Sequence, residues 1–363
     1  MNTKQHEQHK QRLELLLKEM PSYVVDYTHA NRNLSPTTLL NYVHDFKLFF
    51  EWLLSEGIIQ AEQIKDIPLS ALENLKKKEV EYFVDHLTEH KVNVTKNMTK
   101  TPEKASVNRR ISALKSLFNF LTTEPFHDNE EPYFHRNVMA GIKIHKNKAT
   151  LNARAAAISA KILHNDDDVE FLRFVAEEYI HTLPEESKKR AYFKRDKERD
   201  LAILSLFLGS GLRVNELANI RLKDIDWRAR TIAVTRKGNK QDIIPVSQEA
   251  IDDVVSYLKV RNERYGGTDN EYEYLFLVKY NKESIALSVR SIQSLVKKYT
   301  SAFNKSMSPH KLRHTFATKH YETNKDPVAL MNQLGHTSSD TTILYTNPQL
   351  KKAKEAIDRM SNR

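Results

Sequence analysis

The chain of 363 residues contains no cysteine. Disulfides, thiolate nucleophiles and cysteine–zinc sites are therefore excluded. Long apolar runs are also missing. The longest, near LAILSLFLG, is far too short to span a bilayer, so no membrane insertion is expected. There is no internal repeat, no low-complexity tract, and no G-x-x-x-x-G-K-[ST] stretch that would cradle a nucleotide phosphate. The opening MNTKQHEQHK is polar and does not read as a secretory signal, so a cytoplasmic protein is expected.

What is present is charge. Lys and Arg number 57 against 47 Asp and Glu, a formal net charge of +10, which fits a polyanionic partner, most simply nucleic acid. The length suits about two domains, each large enough for a core. The expected division is a helical domain over 16–122, a linker region over 123–165, a second domain over 166–354 and a tail over 355–363.

The first third is helical in pattern. LSPTTLLNYVHDFKLFFEWLLSEG offers Ser35 as a cap, Pro36 in the first turn, an apolar face and Gly57 at the end. KASVNRRISALKSLFNFLTTE carries Val107, Ile111, Leu114, Leu117 and Phe118 on one side, with Arg109, Arg110 and Lys115 elsewhere. These three cations read either as a solvated face or as phosphate contacts that fix register without reading sequence. HKVNVTKNMTKTPEK, between the two units, is weakly periodic and reads as a loop. IKIHKNKATLNARAAA bears no clear amphipathic stripe and reads as linker, with Lys143, His145, Lys146, Lys148 and Arg154 turned to solvent or a polyanion.

The second domain reads as mostly helical with one hairpin. RDLAILSLFLGSGLRVNELANI is a buried helix, a corner over Gly209–Gly211 and a new helix opening at Arg213. TIAVTRKGNKQDIIPVS reads as two strands joined at Gly238 and Asn239. MSPHKLRHTFATKHYE starts with Ser308 as cap and Pro309 in the first turn. LMNQLGHTSSDTTILYTN is a helix that stops at Gly335, with His336 on the polar corner and Tyr345 on polar ground. QLKKAKEAIDRMSNR reads as an amphipathic tail helix.

Six polar side chains stand at element ends, where functional groups are displayed: Arg213, Lys237, His310, Arg313, His336 and Tyr345. His310 and Arg313 are three apart and share a helix face. Two arginines suit the non-bridging oxygens of a phosphodiester and a pentavalent transition state. A tyrosine ionises near pH 10 and needs a base, which histidine supplies near neutrality. Lysine can protonate the departing oxygen. The set is complete for metal-free attack on a phosphodiester by a phenol oxygen. Zinc is the rival for His310 and His314, but HKLRH lacks the glutamate of a zincin. Taken alone, Lys237 is indistinguishable from Lys240 on the same turn, and Arg213 can be a helix-start arginine paired to Glu216.

The motifs GSGLRVNEL, TRKGNK, SPHKLRHTFAT and LGHTSSDTTILY, in this order, resemble the signatures of the tyrosine recombinase (integrase) family, and within it the Xer branch in its single-component form. His336 follows Arg313 by 23 residues, and Tyr345 follows nine later, spacings similar to that family's. The resemblance is strongest over Leu201 to Tyr345. It implies a mainly α, two-domain DNA clamp: a helical core-binding domain and a mixed, mostly helical catalytic domain with a small antiparallel sheet. It implies that Tyr345 attacks the scissile phosphate, leaving a 3′-phosphotyrosine and a free 5′-hydroxyl. Arg213 and Arg313 would hold the phosphate, Lys237 would be the general acid, His310 would assist tyrosine deprotonation, and His336 would bond a non-bridging oxygen. Glu216 would support the site, and Arg109, Arg110, Lys115 and Lys240 would contact DNA. No cofactor, metal or ATP is implied.

The implied partners are double-stranded DNA bearing a specific recombination site, further copies of the chain in a homo-tetramer joined through the tail, and the septal DNA translocase FtsK. The implied role is resolving chromosome dimers before division. The rivals are a mobile-element integrase, a type IB topoisomerase and a non-catalytic DNA-binding architectural protein. The segments TKNMTKTPEK, FHDNEEPYFH and ESKKRAYFKRDKERD are extra relative to shorter Xer proteins.

Overall fold

The computed structural model describes residues 3–89, 92–95, 98–125, 131–144, 149–236, 240–266, 273–281, 283–335 and 359–360. Two compact units divide the chain, Asn2–Asn147 and Lys148–Arg363. No described helix is long and apolar enough to cross a membrane.

The first unit holds α1 (Thr3–Leu17), α2 (Ser22–Ala30), α3 (Pro36–Ser55), α4 (Leu69–Glu73), α5 (Lys77–Glu89), a hairpin of β1 (Val92–Thr95) and β2 (Met98–Lys100), and α6 (Lys104–Thr123). Ser35 caps α3 by accepting from the Thr38 N–H at 3.1 Å, Pro36 occupies the first turn, and Gly57 follows the end at φ +69°. The apolar faces of α3 and α6 meet through Phe46, Phe49, Phe50, Ile111, Leu117 and Phe118, all buried. Tyr27 stands edge-on to Phe46 and Phe120, with centroids at 5.3 and 5.5 Å. The β1–β2 hairpin corrects the loop reading of this stretch. Val92 and Val94 alternate with polar residues as a strand requires, but four residues are too few to register as a period.

The second unit begins with α7 (Leu151–Ser159), inside the stretch expected to be a linker. Alanines favour helix there, and Thr150 caps it through the Ala153 N–H. The missing stripe has its counterpart too, since α7 buries none of its residues. Then come α8 (Asp167–Arg173), α9 (Lys188–Ser210), α10 (Val214–Ala218), β3 (Ile225–Asp226), β4 (Thr231–Thr235), β5 (Gln241–Pro245), α11 (Gln248–Tyr265), β6 (Leu277–Tyr280), β7 (Glu283–Ala286), α12 (Val289–Ala302), α13 (Pro309–Asn324) and α14 (Pro327–Leu334).

The central element is α9, buried along Ala202–Leu208 and packed on α11 and α13. The sheet is antiparallel in the order β3-β4-β5, and Ile232 pairs with Ile244 in its register. A second hairpin, β6–β7, pairs Val278 with Ile285 and was not anticipated, because the expectation held one hairpin only. The corner after α9 is also tighter than expected: Gly209 and Ser210 are still helical, and only Gly211 turns the chain, at φ +67°. The Gly238–Asn239 turn and most of the tail lie outside the described residues.

Candidate active site

Arg213 occupies the cap position of α10, directly after the Gly211 corner. Glu216, three residues on, is buried and serves it twice. Its Oε2 accepts the Arg213 backbone N–H at 2.8 Å, and its Oε1 accepts from Nη1 at 2.8 Å. Arg313 lies on α13 and is 3% exposed. Its Nη1 donates to the Gly211 carbonyl at 2.5 Å and its Nη2 to the Leu334 carbonyl at 2.6 Å. Glu216 Oε2 stands 3.9 Å from Arg313 Nη1, so one buried carboxylate neutralises part of both cations. Arg213 Nη2 reaches the Gly335 carbonyl at 3.4 Å. The two guanidinium groups thus bridge the corner after α9 and the end of α14.

His310 sits one turn before Arg313 on the same helix, after Ser308 and Pro309. Ser308 holds the cap position, although its side chain makes no capping hydrogen bond. The imidazole keeps an accessible face and stands edge-on to His314, with centroids 4.2 Å apart. Partial burial holds its pKa below the ordinary histidine value, and the nearby charges of Arg313, Lys311 and Arg213 push it the same way. A neutral His310 can accept a proton at neutral pH.

These contacts bring Arg213, Glu216, His310 and Arg313 together. Lys237, His336 and Tyr345 lie outside the described residues. The residues just before Lys237 and His336, Arg236 and Gly335, are described and belong to the same cluster. Arg236, next to Lys237, donates from Nη1 to the Leu334 carbonyl at 2.5 Å and from Nη2 to the Gln333 carbonyl at 2.9 Å. Gly335, next to His336, turns at φ +59° and ends α14. A Cβ there would run into the Arg236 guanidinium, so the position needs glycine twice over.

Sequence reasoning missed Arg236, although a signal existed. Ile232, Val234 and Arg236 alternate on the buried face of β4 and its extension, so a charged residue stands where the strand period calls for an apolar one. Gln333 was missed as well. Its amide donates to the carbonyls of Ser210 at 2.9 Å and Pro245 at 3.0 Å, tying α14 to α9 and β5.

Every described tyrosine with a displaced pKa moves upward, with burial as the first cause. Tyr299, for example, is buried and donates to Asp200 at 2.7 Å. None of these phenols is prepared as a nucleophile. A groove of about 430 Å³ lined by Asp196, Arg199, Asp200 and Lys298 shares no residue with the arginine cluster. Its charges satisfy one another and the hydroxyls of Tyr265 and Tyr299.

In the first unit, Arg109 grips Asp45 of α3 with two parallel hydrogen bonds, that from Nη2 to Oδ1 being 2.9 Å. Arg110 Nε lies 3.9 Å from the same carboxylate. Both expected DNA contacts thus stand beside the buried Asp45 carboxylate, Arg109 paired to it with its side chain 45% exposed, while Lys115 is half-buried on α6. Lys240 is exposed and accepts the Arg236 backbone N–H through its own carbonyl at 2.8 Å.

Comparison with known proteins places these elements. Residues 173–352 match the phage integrase family, and residues 25–125 match the N-terminal SAM-like domain of phage integrases. The tyrosine recombinase XerS of Streptococcus mutans serotype c (strain ATCC 700610 / UA159) is 40% identical over 349 residues, 95% of this chain and 97% of that protein. XerS of Streptococcus pneumoniae (strain P1031) is 39% identical over 355 residues, 96% of this chain and 98% of that one. Among solved structures, XerH site-specific recombinase bound to palindromic difH substrate superposes with a TM-score of 0.60 at 20% identity, covering 89% of this chain and 80% of that one. A lambda integrase dimer bound to a COC′ core site gives 0.55 at 18%, covering 90% and 94%. The latter two are similarities of fold.

Proposed function

We infer the chemistry from one premise: the chain belongs to the phage integrase family of tyrosine recombinases, and it is a site-specific DNA recombinase. Its substrate is double-stranded DNA, as in the XerH and lambda integrase structures, which hold their DNA sites.

The phenol oxygen of Tyr345 attacks the scissile phosphorus. The bond from phosphorus to the 5′ oxygen breaks, the bond to the tyrosine oxygen forms, and a 3′-phosphotyrosine remains. The phenol proton passes to His310, and Lys237 gives a proton to the departing 5′ oxygen. Arg213 and Arg313 stabilise the charge on the non-bridging oxygens, His336 adds a hydrogen bond there, and Glu216 orients the arginines. The ester to tyrosine keeps the energy of the broken bond, so the reverse attack by a 5′-hydroxyl rejoins strands without ATP.

The observation that carries this reading is the shared carboxylate. Glu216 binds Arg213 at 2.8 Å and approaches Arg313 at 3.9 Å, with a pKa-depressed His310 on the same helix as Arg313. Two fixed cations beside a neutral imidazole suit a pentavalent phosphate and a proton acceptor. The test is incubation with nicked target DNA followed by a denaturing gel. A covalent adduct from the wild type that is lost in Tyr345→Phe supports the reading. No adduct from the wild type on its own site leaves a DNA-binding protein without catalysis.

At the level of the cell, the chain resolves chromosome dimers to monomers before division. It acts in the cytoplasm, as a homo-tetramer that clamps two DNA sites, with FtsK as the partner that brings the sites together. The support is the relationship to XerS along nearly the whole chain. A mobile-element integrase of the same chemistry is the competing reading. Recombination of the chain's own chromosomal site, measured with and without FtsK, separates them.

A further inference from the structure

We propose that Arg236 is a positioning residue for the recombination reaction: it pins the end of β4, where the chain enters Lys237, to the end of α14, where the chain enters Gly335 and His336. The role goes beyond the seven residues assigned above, and it rests on the reading of Lys237 as general acid.

Three sets of contacts define the pin. The guanidinium bonds the last carbonyls of α14, from Nη1 to Leu334 at 2.5 Å and from Nη2 to Gln333 at 2.9 Å. Its Nε donates to Asp242 Oδ2 on β5 at 2.5 Å. Its backbone N–H donates to the Lys240 carbonyl at 2.8 Å, across the mouth of the hairpin. One side chain therefore ties both sides of the turn to one helix end. The Leu334 carbonyl also accepts from Arg313 Nη2, which joins the pin directly to the phosphate-binding cluster.

Alternative roles fit less well. Arg236 is 9% exposed, and both its terminal nitrogens are turned onto main-chain oxygens, so it is not placed to take the phosphate. A guanidinium does not give up a proton in proteins, so it is no general acid. For packing alone an apolar residue would continue the Ile232 and Val234 face at no desolvation cost. A cation, by contrast, satisfies carbonyls left open at a helix C-terminus and suits the dipole there.

The expected consequence is geometric. A loose turn displaces the Lys237 ammonium from the 5′ oxygen, and a misplacement near 1 Å costs about 100-fold in rate. A substrate whose scissile 5′ oxygen is replaced by sulfur tests this, because thiols ionise near pH 8.5 and a thiolate departs without being protonated. Adduct formation in a single turnover is measured on a duplex carrying the sequence that the wild-type protein selects from random DNA. Both the ordinary and the sulfur-bridged forms are used, with Lys237→Ala as reference.

Arg236→Ala is expected to lose about 100-fold on the ordinary duplex and to return close to wild type on the sulfur-bridged one, as Lys237→Ala does. Arg236→Lys, which keeps charge but not the fork, should follow Arg236→Ala. Should Arg236→Ala fold poorly, Asp242→Asn weakens the Nε contact by removing the carboxylate charge and should show a smaller loss with the same recovery. An equal loss on both duplexes, or no loss, overturns the proposal. No adduct from the wild type sinks the recombinase chemistry itself. A wild type that reacts beside a Lys237→Ala that sulfur does not rescue removes the Lys237 assignment, and this inference with it.

Discussion

One carboxylate holds both ends of one arginine: Glu216 takes the backbone N–H of Arg213 at Oε2 and its Nη1 at Oε1, each at 2.8 Å. The backbone bond starts α10 and the side-chain bond aims the guanidinium, so the fold and the site share a single residue. Because Arg213 is 40% exposed on its side chain, most of the pair's value lies in orientation rather than stability.

Glu216→Gln keeps the shape and removes the charge. Adduct formation should fall roughly 10- to 100-fold, since a hydrogen bond to a charged group is worth about 1.5–3 kcal/mol. Thermal melting should move by only a few degrees. Single-turnover cleavage together with calorimetry checks this, and unfolding of the variant would show that Glu216 serves the fold first.

The depressed pKa of His310 sets a direction in pH. Burial favours its neutral form, so the unfolded chain binds more protons around pH 6.5 and stability rises with pH there. The contribution is present above the unfolded value near 6.5 and is lost as pH falls through the lower, folded value. His320, also depressed by burial, adds in the same sense. Adduct formation should hold down to about pH 6.5 and decline only below it, if His310 is the proton acceptor. His310→Gln should remove that decline. A decline already complete above pH 7 would exclude this role.

The pair of Arg109 with Asp45 makes a stability prediction where the sequence suggested a DNA contact. Asp45 is 5% exposed, and its pKa is raised because burial outweighs the neighbouring arginines. Removing Arg109 raises it further and leaves the carboxyl without its main partner. Arg109→Ala should destabilise the protein by about 1–3 kcal/mol in urea unfolding, whereas Lys115→Ala should change it little. Equal stability of the two variants would return Arg109 to the role of surface cation.

DNA affinity should depend steeply on salt. A clamp making six or more phosphate contacts releases counterions, and its affinity should drop about 10³-fold or more between 50 and 200 mM salt. Fluorescence anisotropy with a labelled duplex reads this directly. A flat response would contradict the clamp.

What could be read from the sequence follows the range of the interactions. Ser35 and Gly335 announce helix ends because capping is decided within a few residues. Arg213, Glu216, His310 and Arg313 were found because each sits in a compact motif. Arg236 was not, since its partners on α14 are 97 and 98 residues away, and the alternation with Ile232 and Val234 that marks its position as buried does not say what would satisfy the charge. The bond of Arg109 to Asp45 spans 64 residues and was hidden for the same reason. The β6–β7 hairpin escaped because its strands are four residues long, too short for a clear alternation.

The most direct test of the account is the identity of the atom that joins DNA. Covalent complex formed on a nicked site can be digested with protease and nuclease and the residual nucleotide located by mass spectrometry. The expected result is a single peptide carrying the nucleotide through its 3′-phosphate on Tyr345, with a free 5′-hydroxyl on the cleaved strand. Attachment at any other residue, or a cleaved strand ending in a 5′-phosphate, would contradict it.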